Sequence, residues 1–178
     1  MCTRRMVLVA GLPGWAGVYA AAAPPEVAAE VPGARLLGTG RLRYLGLRVY
    51  DARLWAADPP AVADWAAAAL ALELEYARNL DGERIAYRSL SEMKRQGEIE
   101  PAKAQRWLLA MQQIFPDVLP GDRITGVNVP GTGARFFVNG RHKGDVREPE
   151  FARLFMGIWL SPKTSEPTLR DALLGKSA

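Results

Sequence analysis

Few side chains in this sequence have the type and spacing that chemistry demands, and most of those that do are arginines. Arg41, Arg43, Arg48 and Arg53 punctuate GTGRLRYLGLRVYDARLWA, from Gly38 to Ala56, a largely apolar and aromatic run that also holds Asp51. Fully buried guanidinium is rare, so two accounts of this stretch stand side by side. In one it is a surface strand whose arginine stems cover apolar neighbours while their heads stay in water. In the other it lines a cleft and offers a cation to an anionic ligand, which a guanidinium fork grips bidentately. The remaining chemistry is sparse. His142 is the single histidine and stands beside Lys143, just past Asn139-Gly140, where exposure is expected. With no second histidine and one cysteine, Cys2, the chain carries neither a metal-ligand cluster nor a Ser/His/Asp set in recognisable context. No cofactor is implied. Gly131-Thr132-Gly133 lacks the further glycine, the lysine and the following helix of a phosphate loop, and reads as a tight turn.

The arginine-bearing stretch reads as one extended strand or as a hairpin bent at Gly46. Side chains alternate along a strand, so two registers are open. Leu42, Tyr44, Gly46, Arg48 and Tyr50 share one face, while Arg41, Arg43, Leu45, Leu47 and Val49 share the other. Either face mixes apolar bodies with guanidinium.

The elements around it follow from periodicity and punctuation. An Ala/Pro/Glu segment to Gly33 reads as flexible, and Ala34 to Leu37 as a short strand. After Asp58-Pro59-Pro60, Ala61 to Ala69 reads as a short helix. In Ala69 to Tyr76, strict alternation of Leu70, Leu72, Leu74 and Tyr76 outweighs the helical preference of Ala, Leu and Glu and predicts a strand. A helix from Asn79 or Asp81 through Arg95, ended by Gly97, and a second from Ala102 to Phe115 behind Pro101 follow. The second carries Trp107, Leu108, Met111, Ile114 and Phe115 as a core stripe. Asp122 to Pro130, Ala134 to Val138 and Arg141 to Val146 form a meander, its second turn the Asn-Gly pair favoured where both residues take positive φ. Helices at Phe151 to Leu160 and Thr168 to Leu174 close the chain. Strands, helices, strands and helices in that order predict an α+β domain over residues 34–178, with helices layered on one face of an antiparallel sheet.

The N-terminus has the order of an export signal. Arg4 and Arg5 precede an apolar run from Met6 to about Ala23 that ends in small residues. Thr3-Arg4-Arg5-Met6-Val7-Leu8 also has twin-arginine character. Removal of residues 1–22 predicts a periplasmic or secreted protein with no remaining membrane span. It also lowers the formal charge from +4 to +2, and the remaining basic residues are interleaved with acids. The pI of about 9.5 therefore marks no nucleic-acid footprint. A chain of 178 residues, 49% hydrophobic and 24% charged, suffices for one domain with a real core.

Taken together, GTGRLRYLGLRVYDARLW, ALELEYAR, the paired helices, the meander with Asn139-Gly140, FARLFMGIWLSP and LRDALL resemble the bacterial chalcone isomerase-like family, exported branch. The resemblance runs from about Gly38 to Leu174. It implies an open-faced sandwich: a curved antiparallel sheet with helices layered on it and a ligand cleft between. Plant members of that family cyclise chalcones to flavanones and other members bind fatty acids. Setting Val49-Tyr50 on the family's Val-Tyr pair puts the catalytic threonine position on Leu45, and setting Gly97 on the glycine before the family's helix puts the catalytic tyrosine position on Ile99. Neither side chain can hold a water or donate to a ketone oxygen, so the resemblance implies binding without chalcone cyclisation. It makes the Leu45 face the cleft face, with Arg43, then Arg41, offered to a carboxylate. Tyr76, Tyr87 and Trp107 are the candidate walls or second donors.

Three functions follow as expectations. The first is an exported binding protein for a small apolar or fatty-acid-like ligand, without catalysis. The second is an isomerase or lyase using Arg43 and a tyrosine. The third is a periplasmic structural or partner-binding domain with a closed core.

Overall fold

A computed structural model describes residues 22–58 and 64–176. The export-signal expectation for residues 1–22 lies almost wholly outside these residues. In chain order the elements are α1 (Pro25–Glu30), β1 (Arg35–Tyr44), β2 (Leu47–Ala56), β3 (Leu70–Tyr76), α2 (Gly82–Lys94), α3 (Pro101–Ile114), β4 (Arg123–Val129), β5 (Gly133–Val138), β6 (Arg141–Val146), α4 (Pro149–Leu160) and α5 (Pro167–Leu173). The six strands form one antiparallel sheet in the order β1-β2-β3-β4-β5-β6. Every strand pairs with its neighbour in sequence, so the α+β architecture needs no crossover within the sheet. The two helices α2 and α3 enter as an insertion between β3 and β4.

Strand alternation divides the sheet into two faces. Ala52, Leu54, Ala56, Leu70, Leu72, Leu74, Tyr76, Ile124, Phe136 and Val138 point into the main core with the buried faces of α2, α3 and α4. This is the helical layer that the sequence predicts, and the alternation in Leu70–Tyr76 is what makes it a strand despite its helical composition. Trp55, Ala71, Val127 and Phe137 point the other way. They meet Val27 and Val31, so the segment at 23–33, expected to be flexible, contains α1 and closes a smaller core on the opposite face. Val27 and Val31 stand four apart, the spacing that brings side chains to one side of a helix.

The opposite face is also polar, and its charges are paired. Glu73 is only 2% exposed. It accepts hydrogen bonds from Arg53 Nη1 at 2.8 Å, Arg123 Nη1 at 3.2 Å and Trp55 Nε1 at 3.2 Å. Glu26 of α1 accepts from Thr125 Oγ1 at 3.3 Å, with Arg123 Nη1 3.4 Å away. These contacts tie α1 to β2, β3 and β4.

Where a helix was expected over 61–69, residues 64–69 instead form turns and bends, and 59–63 lie outside the described residues. Asn128 explains the local order, since its Nδ2 donates to the carbonyls of Trp65, Ala66 and Ala68. Those carbonyls are held by a side chain in β4 and not by a following helical turn.

Gly38 and Gly40 lie inside β1. A Cβ at Gly38 would overlap the carbonyl oxygens of Ala172 and Leu173, and one at Gly40 would overlap Leu169 Cδ1. The glycines let α5 lie directly on β1. Gly38→Ala should therefore push α5 away and cost ~2 kcal/mol, the usual scale of overpacking. Urea unfolding checks this through a lowered midpoint at unchanged slope.

Candidate functional site

The β1–β2 hairpin decides which side chains reach the cleft. Leu42 pairs with Tyr50 and Arg43 with Arg48, leaving Val49 as an extra residue in β2. Such a bulge re-aims the side chains beside it. Val49 and Tyr50 both line a cavity, while Arg48 joins Arg41 on the other side of the sheet. Asp51 binds both arginines, with Arg41 Nε at 2.7 Å and Arg48 Nη2 at 2.5 Å. The hydrogen bond from Arg41 holds the Asp51 carboxyl below the ordinary carboxylate range, against a smaller opposing effect of burial.

The cavity, about 370 Å³, lies between the sheet and helices α2 and α4. Much of its lining is apolar: Leu74 and Tyr76 from β3, Ile124 from β4, Phe115 after α3, and Phe155 and Trp159 from α4. Leu42, Tyr44, Val49 and Tyr50 form the hairpin wall, and Ile85, Ser89 and Glu92 the α2 wall. Arg78, Arg84 and Arg88 stand at the exposed mouth with Glu166. A volume of this size is at the small end of ligand sites, which run from about 300 to 1,000 Å³.

Two phenols meet inside. The rings of Tyr50 and Tyr76 stand edge to face at 5.9 Å, and Trp159 Nε1 donates to Tyr50 Oη at 2.9 Å. Burial pushes both hydroxyl pKa values well above the ordinary tyrosine value, opposed at Tyr50 by the Trp159 hydrogen bond. Both are therefore neutral donors at any working pH. The mouth is partly neutralised. Arg84 Nε lies 2.8 Å from Asp81, and Arg88 Nη2 lies 2.8 Å from Glu92 Oε1. The other Glu92 oxygen is 3.4 Å from Arg95 Nε, too poorly aligned to accept a hydrogen bond. Arg78 has no carboxylate within 4 Å among the described residues.

Of the residues singled out in the sequence, Tyr76 lies in this cavity and the others lie elsewhere. Leu45 sits in the hairpin turn at φ 49° and is 85% exposed. Arg43 is beside it, donating from Nη1 to the Gly46 carbonyl at 3.2 Å, and Arg41 is on the far face with Asp51. The face carrying Leu42, Tyr44 and Tyr50 is thus the cleft face, the reverse of the register that the Leu45 placement requires. Tyr87 and Ile99 line a separate groove between α2 and α3. Trp107 is fully buried in the core, edge-on to Phe151 at 5.5 Å. Because neither Leu45 nor Ile99 reaches the cavity, their apolar character says nothing about its chemistry. The mouth arginines were legible as a helical line, Arg84, Arg88 and Glu92 at spacings of four, beside Ile85 and Ser89 on the adjoining face. The Trp159–Tyr50 contact had no local signal, since 109 residues separate the partners.

Among the described residues, no group of three or more His, Cys, Asp or Glu could hold a metal ion, and no helix is long and apolar enough to cross a membrane.

Since unfolding lowers the pKa of both buried phenols toward about 10, their contribution to stability is complete below that pH and is lost as pH rises above it. Ultraviolet difference titration checks this: replacing Tyr50 and Tyr76 together by Phe should leave the phenolate signal below about pH 11 unchanged and remove only the signal that appears with alkaline unfolding.

A family model described as chalcone isomerase-like matches residues 20–175, and the chain belongs to that family. An uncharacterised protein of Haemophilus influenzae (strain ATCC 51907 / DSM 11121 / KW20 / Rd) is 30% identical over 108 residues, covering 61% of this chain and 52% of that protein. The chain spans about half the length of that relative. Among solved structures, the crystal structure of the fatty-acid binding protein AtFAP1 of Arabidopsis thaliana matches with a TM-score of 0.62 at 15% identity. The match covers 80% of this chain and 87% of that one, and it shows a shared fold.

Proposed function

We propose that this member of the chalcone isomerase-like family binds a small apolar molecule with an acidic head, of the fatty-acid type, without transforming it. The observation that carries the reading is an apolar cavity of about 370 Å³ that opens through an arginine-lined mouth. The apolar portion of the ligand lies along Leu74, Ile124, Phe155 and Ile158, where displacing water from apolar walls supplies the affinity. Its carboxylate takes Arg78, whose fork is not already engaged by an acid, with Tyr76 as a neutral second donor. The fatty-acid binding stated for AtFAP1 is a property of that protein, and the shared fold supports the same ligand class here. With residues 1–22 read as an export signal, the protein works in the periplasm or outside the cell.

Calorimetric titration with dodecanoate tests the reading. Binding should weaken at least about tenfold in Arg78→Ala, the scale of one charge-assisted hydrogen bond. It should disappear in Ile158→Trp, which fills the cavity. Absence of binding to the wild-type chain, or equal affinity in all three proteins, would refute it.

A second reading, an isomerase or lyase, is favoured by one observation: the two neutral phenols in the cleft can donate to a developing enolate. Incubation with a hydroxychalcone, followed at its visible absorption band, separates the two. The band should persist; its loss with the wild-type chain and retention with Tyr76→Phe would establish catalysis instead.

A further inference from the structure

Two hairpin turns of the sheet share their φ angles and differ in chemistry. Asn139 and Gly140 join β5 to β6 at φ 49° and 79°, and Leu45 and Gly46 join β1 to β2 at the same pair of angles. Positive φ is costly for a side chain other than Gly, Asn or Asp, and Asn139 offsets that cost. Its Oδ1 accepts from the Arg123 amide at 2.9 Å and its Nδ2 donates to Asp122 at 2.9 Å. A leucine in the same turn carries the strain and adds an apolar side chain that is 85% in water. Its neighbours compound the exposure, with Tyr44 66% and Leu47 57% exposed. Folding accounts for none of these three apolar side chains at the tip.

The charge nearest them is predominantly positive. From Arg41 to Tyr50 the chain carries three arginines and no acid, and Asp51 neutralises only part of that charge. Arg43 folds back onto the turn, and on the cleft side Arg78 adds a cation with no carboxylate within 4 Å among the described residues, whereas Arg84 and Arg88 stand against Asp81 and Glu92. Tyr44 belongs to both regions, since it is exposed at the tip and lines the cavity. An apolar point collared by arginines fits the boundary between acyl chains and anionic headgroups, where leucine enters the hydrocarbon and guanidinium stays at phosphate level. A second copy of the chain would present the same excess of positive charge to itself.

We propose that the β1–β2 hairpin tip docks on an anionic lipid bilayer, inserting Leu45 and Leu47 at headgroup depth and setting the mouth of the cleft against the membrane. That the tip is where a fatty-acid-type ligand enters or leaves rests on the function proposed above; the docking itself does not.

Vesicle sedimentation tests it with the full chain and phosphatidylcholine vesicles, with or without phosphatidylglycerol. Wild type should bind the phosphatidylglycerol vesicles, more weakly as salt screens the arginines. Leu45→Asn combined with Leu47→Thr should weaken binding at least about tenfold. Neither substitution should lower thermal stability, because asparagine suits the turn and threonine suits a strand. Because the apolar N-terminal run can itself contact lipid, a local readout accompanies the first: a polarity-sensitive dye on Leu45→Cys, in a Cys2→Ser background, should shift to the blue on the same vesicles. Equal vesicle binding by wild type and the double variant, or no shift of the dye, would overturn the proposal. So would concentration-dependent self-association of the wild type that the double variant loses, which would assign the tip to a second copy. Dodecanoate affinity measured without vesicles should be the same in both proteins, so failure of docking and failure of ligand binding are read separately.

Discussion

Phe155 is where packing and the cleft become one constraint. Its ring stands 5.0 Å from Phe136, 5.6 Å from Phe151, 5.5 Å from Trp159 and 6.1 Å from Phe115, and its other side forms part of the cavity wall. Aromatic rings are rigid and bulky, and edge-to-face pairs favour particular separations. The cluster fixes how near α4 can come to β4 and β5. Gly126 in the middle of β4 completes the fit, because a Cβ there would crowd Phe136 at 3.3 Å while only touching Phe155 and Met156 at 3.4 and 3.5 Å. The helical layer is thus propped on rings at one end. Tyr50, Tyr76 and Trp159 meet at the other, where the cavity opens.

The sheet separates its work by face. The side toward α2, α3 and α4 is apolar, aromatic and cavity-bearing. The other is covered in part by α1 over a network that joins Glu26, Glu73, Arg53 and Arg123. Glu73 is buried yet meets three donors, which is the condition under which a buried charge is tolerated. The alternation of Leu70 to Tyr76 thus has two meanings: its leucines mark the main core, and its glutamates mark an ion-paired layer beneath a helix.

Much of the fold was legible because it is local. The Asn139-Gly140 turn, the proline that opens α3 and the apolar stripes of α3 and α4 are signals carried within a few residues. Two parts were not legible in the same way. The helix α1 has six residues, with one buried valine inside it and a second at its C-cap, too short to stand out as a periodic pattern, and its stability comes from Trp55, Val127 and Phe137, which the chain brings in from afar. The cleft register was set by one unpaired residue. With Val49 as an extra residue, Arg48 and Tyr50 do not share the face that simple alternation assigns them, and the arginines of the strand turn away from the cavity. The cation at the mouth is supplied instead by the β3–α2 segment and α2. The aromatic character of the hairpin was therefore a sound guide to the cleft, and its charge was not.

An open sheet also has two ends, and an unpaired strand invites another strand to add to it. Here both ends are spoiled for such growth. On one border β6 presents Arg141, His142 and Lys143, and its pairing with β5 slips between Phe136 and Phe137. On the other, β1 carries Arg35, Arg41 and Arg43, and its ladder slips twice, once beside Gly38 and once beside Arg43. The extra residue Val49, which turns Tyr50 into the cavity, lies in β2, inside the sheet, while the row of amides and carbonyls that a foreign chain would need belongs to β1 and is interrupted there at Leu37. The hairpin thus carries two distortions, one on an inner strand that shapes the pocket and one on the border strand that denies a foreign chain an even template.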